Sequence, residues 1–267
     1  MRFRWLERNK NTTQHISGVK QLHKNVVDLQ MEEAHVINVA DRSDRMMKFV
    51  KDWEGRGIAI IREDAFKPDG VSIRNVYDAV FLKHRQILEA AKHKGDEYCL
   101  IMEDDAIPCN DFELRFKHIK DYLHLRNDWD VFNGGMLSMR DCVTKIVRIK
   151  DDGLTTMLLT SVRGCMGQFL YFRVDDALRR IRSWEAEGKP EYDGWYAHYL
   201  RCVACVPYLA IQSDGFSDAA KDERKWEDRF KFEETSMLHA LREFVSDDVP
   251  HEREKTADAS VPPPSGE

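Results

Sequence analysis

The segment Tyr98-Cys-Leu-Ile-Met-Glu-Asp-Asp-Ala-Ile-Pro108 runs from an apolar stretch straight into three carboxylates, Glu103, Asp104 and Asp105. Adjacent acids repel one another and raise each other's pKa, so clustering them carries an electrostatic cost that donors, water or a metal must offset. Mg²⁺ and Mn²⁺ favour hard oxygen ligands, and Mg²⁺ takes only one or two protein carboxylates, leaving the rest of its sphere to water and substrate phosphates. The triplet therefore points to Mn²⁺ or Mg²⁺ and to a diphosphate-containing substrate. The competing reading is a solvated acidic turn. The strand context argues against it, because in open α/β sheets ligands bind beyond the carboxyl ends of the strands.

The elements that must hold this triplet are legible in the apolar pattern. His35 to Val39 reads as a short strand, and Asp41-Arg-Ser-Asp-Arg45 as a helix start with Ser43 or Asp44 as N-cap. Met46, Met47, Phe49, Val50 and Trp53 would form the apolar face of that helix, which Gly55 and Gly57 end. Ile58 to Ile61 is a second strand, and Ser72 to Lys94 carries helical spacing up to Gly95. The acidic strand follows. Further on, Phe112 to Leu125 reads as a helix, Trp129 to Phe132 as a strand, and Val143 to Ile149 with Leu154 to Thr160 as a hairpin around Asp151-Asp152-Gly153. Gln168 to Phe172 is a strand, Asp175 to Trp184 a helix, and Cys202 to Ile211 the last strong strand. Strands alternating with helix-sized connections predict an α/β fold with a mixed, mostly parallel sheet flanked by helices.

The expected organisation has an N-terminal appendage over 1–33, helical around Val19 to Met31, and a main domain over 34–218. A docked helical segment over 219–248 uses Trp226, Phe230, Phe232, Met237, Leu238, Leu241 and Phe244, and a disordered tail over 249–267 ends in a proline run. A chain of 267 residues is long enough for a sizeable core. Its net charge of −6 lacks the concentrated basic footprint of a nucleic-acid binder. No stretch approaches the length of a membrane span, and residues 1–11 lack the apolar core of a secretory signal, so a cytoplasmic protein is expected. The six cysteines then read as reduced thiols, and Cys202-Val-Ala-Cys205, without a second ligand pair, as part of a buried strand rather than a zinc site.

Several segments together resemble glycosyltransferase family 25, the group that includes lipopolysaccharide and collagen sugar transferases. His35-Val-Ile-Asn-Val-Ala-Asp-Arg-Ser-Asp-Arg45 is similar to its opening strand and arginine-containing turn, and Leu100-Ile-Met-Glu-Asp-Asp-Ala106 to its acidic motif. Phe81-Leu-Lys-His84 lies where the family often has a Ser-His element, with lysine in place of the serine. Trp129-Asp-Val-Phe-Asn-Gly-Gly135 resembles its aromatic-Asp strand, and Val206 to Gln212 with Ser217-Asp218 its late strand and Ser-Asp pair. The resemblance spans about Val36 to Asp218. It implies a GT-A, Rossmann-like fold and a nucleotide-sugar donor, commonly with Mn²⁺ or Mg²⁺. The acceptor would be a hydroxyl of a glycan, a lipid-linked sugar or a protein.

On that resemblance Asp105 is the metal ligand, with Asp104 as a second ligand, and Glu103 or Asp104 reaches the ribose or a metal-bound water. Arg42 and Arg45 suit the donor diphosphate, because guanidinium forms directed charge-assisted hydrogen bonds; an ion-pair surface with Asp41 and Asp44 is the alternative. Asn38 is a nucleotide contact or a turn residue. An inverting transferase needs a carboxylate at the acceptor hydroxyl, and Asp193 in Pro190-Glu-Tyr-Asp-Gly-Trp-Tyr196 is the candidate, against helix N-capping. Glu191 is the reserve base, Tyr192, Trp195 and Tyr196 could offer rings to a sugar, and His198 or His84 is a lesser site candidate. The competing functions are a sugar nucleotidyltransferase, for which a glycine-rich N-terminal loop is lacking, and a non-catalytic carbohydrate-binding protein.

Overall fold

The computed structural model describes residues 13–16, 31–140, 145–151, 153–185, 195–217 and 222–241. In chain order the elements are β1 (Thr13–Ile16), β2 (Glu32–Asn38), α1 (Ser43–Asp52), β3 (Ile58–Asp64), α2 (Val76–Lys94), β4 (Tyr98–Glu103) and β5 (Ala106–Pro108). There follow α3 (Phe112–His124), β6 (Val131–Asn133), β7 (Leu137–Arg140), β8 (Lys145–Asp151), β9 (Leu154–Thr160), β10 (Arg163–Cys165) and β11 (Phe169–Arg173). The last are α4 (Val174–Glu185), α5 (Trp195–Tyr199), β12 (Cys202–Val206), β13 (Ala210–Gln212), β14 (Gly215–Ser217), β15 (Asp222–Arg224) and α6 (Trp226–Ala240).

The expected mixed α/β architecture is present. Nine strands form one sheet in the order β1-β8-β9-β12-β6-β11-β4-β2-β3. Parallel pairing joins β3 to β2, β2 to β4 and β6 to β12, while β11 runs antiparallel to both β4 and β6, and β9 to both β12 and β8. Among the described strands of this sheet, β11 and β9 therefore run against the common direction. Residues 13–16, inside the expected appendage, add the edge strand β1 parallel to β8. The helix expected at Val19 to Met31 and the tail over 249–267 lie outside the described residues.

Alternation along the central strands divides the core into two layers. Leu100 and Met102 of β4 point with Ala34 and Val36 of β2 toward Phe49, Trp53, Phe112 and Phe116 of the α1 and α3 side. Cys99 and Ile101 point the other way, into a layer with Phe81, Leu88, Leu178, Trp195 and Phe230 from α2, α4, α5 and α6. This is the period-two geometry of a strand buried on both faces. It explains why β4 reads as a continuous apolar run.

Three local details position the site. Helix α2 starts where Asn75 accepts hydrogen bonds from the backbone N–H groups of Tyr77 and Asp78, and it stops at Gly95, whose φ of 89° suits glycine. Its shorter observed span reflects that cap. Helix α1 is capped by Arg42 without a side-chain hydrogen bond, and Ser43 and Asp44 lie inside the helix rather than at its N-cap. Phe49 and Trp53 are buried, but Met47 and Val50 are exposed, so the apolar face is narrower than expected. The Trp53 indole N–H donates to the Ala106 carbonyl at 2.8 Å, which ties the end of α1 to the strand following the acidic triplet.

The expected strand from Cys202 to Ile211 divides in two. Strand β12 stays in the main sheet, the Val206–Pro207 bond is cis, and β13 leaves to pair antiparallel with β5, placing Gln212 opposite Ala106. Pro207 has no N–H to give to a ladder. Gly135 permits the crossing, since a Cβ there would sit 1.9 Å from the Ala210 carbonyl oxygen. Cys202 and Cys205 are both buried in β12, and burial pushes both thiols up, as suits core residues.

Candidate functional site

Strand β4 ends at Glu103, and Asp104 and Asp105 form the turn into β5. The strict strand alternation that would send Asp104 away from Glu103 and Asp105 does not apply, because the turn swings both aspartates toward α1. One terminal nitrogen of Arg45 lies 2.5 Å from Asp104 Oδ1 and 2.6 Å from Asp105 Oδ2. Asn38, at the end of β2 and 1% exposed, donates from Nδ2 to the Arg42 carbonyl at 2.9 Å and to Asp104 Oδ2 at 2.6 Å. The Gln212 amide donates to Asp105 Oδ2 at 2.8 Å, and the Asp105 carbonyl accepts from the Ser213 N–H.

Burial and the adjacent charge of Asp105 outweigh the pull of Arg45 and push the Asp104 carboxyl up to about 6. The Asp105 Oδ1 atom is buried and, among the described residues, has no hydrogen-bond partner. A buried carboxylate oxygen left unpaired is costly, and a hard cation is the ligand that would satisfy it. Among the described residues no cluster of three or more carboxylate, imidazole or thiolate groups could hold a metal. A divalent ion held as Mg²⁺ usually is, by one or two carboxylates, would take Asp105 through that oxygen and Asp104 only alongside its bonds to Arg45 and Asn38, with the remaining positions left to donor phosphates and water.

These groups open on a cavity of about 370 Å³, within the range usual for small-ligand sites. Its lining includes Arg45, Glu103, Asp104, Asp105 and Gln212 from the acidic turn and its partners, Phe66, Tyr77 and Lys83 from in and around α2, and Trp195, Arg224 and Trp226 from later in the chain. Gly167 keeps room for Glu103, whose Oε1 would lie 3.3 Å from a Cβ at that position.

Of the residues singled out in the sequence, Arg45, Glu103, Asp104 and Asp105 meet at the cavity. Asn38 braces the turn instead, and Arg42 pairs with Asp44 at 3.3 Å on the rim of α1. Asp193, Glu191, Tyr192, Asp218 and Phe244 lie outside the described residues. Trp195 lines the cavity, whereas the Tyr196 hydroxyl is buried, donating to the Met166 carbonyl at 2.6 Å and accepting from Asn133 at 2.8 Å. His84 is a core residue: its Nδ1 meets the Val80 carbonyl at 2.7 Å, and it packs on Phe172 and Trp195. His198 is exposed on α5.

Phe66, Tyr77, Lys83, Arg224 and Trp226 were not legible as site residues. Phe66 and Tyr77 sit in or beside the connection from β3 to α2, and Arg224 and Trp226 arrive from more than a hundred residues beyond the acidic turn. The one available signal was Lys83, a lysine within an apolar helical pattern.

No family model matches the sequence, and no curated protein does. Among solved structures, A197 from STIV has a TM-score of 0.39 at 13% identity, covering 72% of this chain and 93% of that one. A glycosyltransferase involved in the glycosylation of the major capsid of PBCV-1 has a TM-score of 0.33 at 11% identity, covering 60% of this chain and 67% of that one. Likeness at this level decides nothing about the chemistry of the chain. Among the described residues no helix is long and apolar enough to cross a membrane.

Proposed function

We propose that this chain is a GT-A-type glycosyltransferase that moves a sugar from a nucleoside diphosphate sugar to a hydroxyl acceptor, with inversion and with Mn²⁺ or Mg²⁺. The observation that carries the reading is the acidic turn at the end of β4, which lines the cavity, with Arg45 alongside and Asp105 Oδ1 buried and unpaired among the described residues. Departure of a diphosphate needs its developing negative charge stabilised, and a bound divalent ion supplies Lewis-acid stabilisation there.

The side chains have separate tasks. Asp105 and Asp104 hold the ion, Asn38 fixes the Asp104 carboxylate, and Gln212 fixes that of Asp105. Arg45 offers directed N–H groups to the diphosphate oxygens. Glu103 takes a ribose hydroxyl, and Trp195 presents apolar wall near the reacting sugar. Asp193, two residues before Trp195 in the sequence, is the base that accepts the acceptor's proton; that assignment rests on the sequence resemblance. Arg42 is a lesser donor contact, its guanidinium being engaged with Asp44.

The deciding experiment is transfer of radiolabelled sugar from a panel of nucleotide sugars to a panel of glycan, lipid-linked and protein acceptors, with and without Mn²⁺. Labelled product that disappears on chelation supports the reading. Binding of donors without transfer to any acceptor would instead mark a carbohydrate-binding protein.

A further inference from the structure

Lys83 is the least expected group in the cavity wall. It stands on α2, is 7% exposed, and has Val76, Ala79, Val80 and Phe66 around it on the cavity side. An ammonium has three protons and no acceptor capacity. Lys83 gives one to Glu63 Oε2 at 2.8 Å and one to Gln86 Oε1 at 3.0 Å, and the Phe66 ring centroid lies 5.4 Å away. Among the described residues its third proton has no acceptor. A donor so deeply buried and left unspent costs free energy that a ligand acceptor recovers.

We propose that Lys83 reads the base of the bound nucleotide, selecting a ring carbonyl over an amino group. The proposal rests on the reading of the cavity as a nucleotide-sugar site. Two observations favour a base over a phosphate at this position. Glu63 stands directly against the ammonium and neutralises it, so a phosphate here would face a carboxylate as well as a cation. The neighbouring wall is Phe66 and the partly exposed Tyr77, flat surfaces suited to a planar ring. Arg45, which suits a diphosphate, is paired with Asp104 and Asp105, whereas Lys83 is paired with Glu63 and Gln86.

The consequence is chemical. Uracil and guanine present a carbonyl where cytosine and adenine present an amino group. A carbonyl takes the third proton of Lys83, whereas an amino group sets donor against donor and leaves both unpaired.

The test is calorimetric titration of the full chain with Mn²⁺ and the diphosphates of uridine, cytidine, guanosine and adenosine. Within at least one pair of equal ring size the carbonyl base should bind at least about tenfold more tightly, as expected when a buried donor is left unmatched. Lys83→Gln, which can accept as well as donate, should bring that ratio to within about threefold, and Lys83→Arg, again donor-only, should keep it. A uridine diphosphate with sulfur in place of the 4-oxygen probes the same bond without altering the protein and should lose affinity if uracil is the base preferred. Equal affinities within both pairs, or a ratio unchanged in a folded Lys83→Gln protein, would overturn the role of Lys83. The site reading would survive that result if binding still required Asp105. Failure of all four nucleotides to bind would overturn both.

Discussion

Arg45 reaches across from α1 to lie 2.6 Å from Asp105 Oδ2, closing a bridge between the first helix and the end of the central strand β4. The other oxygen of Asp105 is buried and unpartnered among the described residues. Arg45 thus neutralises the acidic turn on one side, and under the proposed function a cation would take up the remaining Asp105 oxygen. Replacing Asp105 with Asn removes the charge with little change in volume. The circular dichroism spectrum should stay native while Mn²⁺-dependent nucleotide affinity falls at least about tenfold, on the scale of a lost charged contact. Unchanged affinity in calorimetry would remove Asp105 from the metal site.

Asp193 is assigned to the other half of the reaction. Asp193→Asn should leave donor affinity intact and lower turnover by about a hundredfold or more, the usual scale for a positioned general base. Affinity and turnover need to be measured separately. Weaker donor binding with normal turnover would move Asp193 to the donor site, and no effect on either would favour a helix cap.

His84 links stability to pH. Burial holds its imidazole down at about 4, against an ordinary value of 6.5, with the Val80 carbonyl opposing only in part. The folded protein therefore keeps His84 neutral, and between pH 6.5 and about 4 the unfolded chain binds a proton that the folded one does not. The stability due to neutral His84 is fully present above pH 6.5 and is lost as the pH falls toward 4, about 3 kcal/mol in all. Urea unfolding across this range should show a slope in His84→Phe that is shallower by up to one proton. Equal slopes in the two proteins would show that His84 does not titrate differently on folding.

Helix α6 is held by burial of Phe230, Met237 and Leu241 and by two carboxylates: Glu233 accepts from the Ser138 N–H at 2.7 Å and Glu234 from the Tyr208 N–H at 2.5 Å. The Phe230 ring meets Tyr208 edge-on at 5.7 Å. Phe230→Ala should cost about 3–5 kcal/mol, and ending the chain before Trp226 should be worse, because it also removes a wall of the cavity. Melting temperature and nucleotide binding report the two effects. A full-stability protein lacking α6 would refute the docked helix.

Much of this molecule was set by local pattern. The run from Tyr98 to Met102 had to be a buried strand, since it is apolar on both faces, and the acids after it had to lie at a sheet end. Asn75 and Gly95 bound α2 through capping chemistry that acts within a few residues. The acidic run Glu103, Asp104 and Asp105 stood out because it follows that strand, whereas Arg45 was singled out through the resemblance of the segment around it; all four line the cavity.

Tertiary structure decided what no local pattern encodes. The reversed strand β11 enters between β4 and β6, and the segment after Pro207 leaves the main sheet to carry Gln212 to Asp105. Lys83 and His84 are neighbours on one helix, yet Lys83 lines the cavity and His84 is sealed beneath Phe172 and Trp195, a division fixed by which helix face meets the sheet. Trp226 and Arg224 line the cavity from the start of α6, which packs through the buried Phe230, and from β15 paired with β14. A sequence states which groups can bind charge or bury rings; the distances that turn Arg45 and Asp105 into a pair arise only when separate elements pack, because apolar burial, not sequence proximity, brings them together.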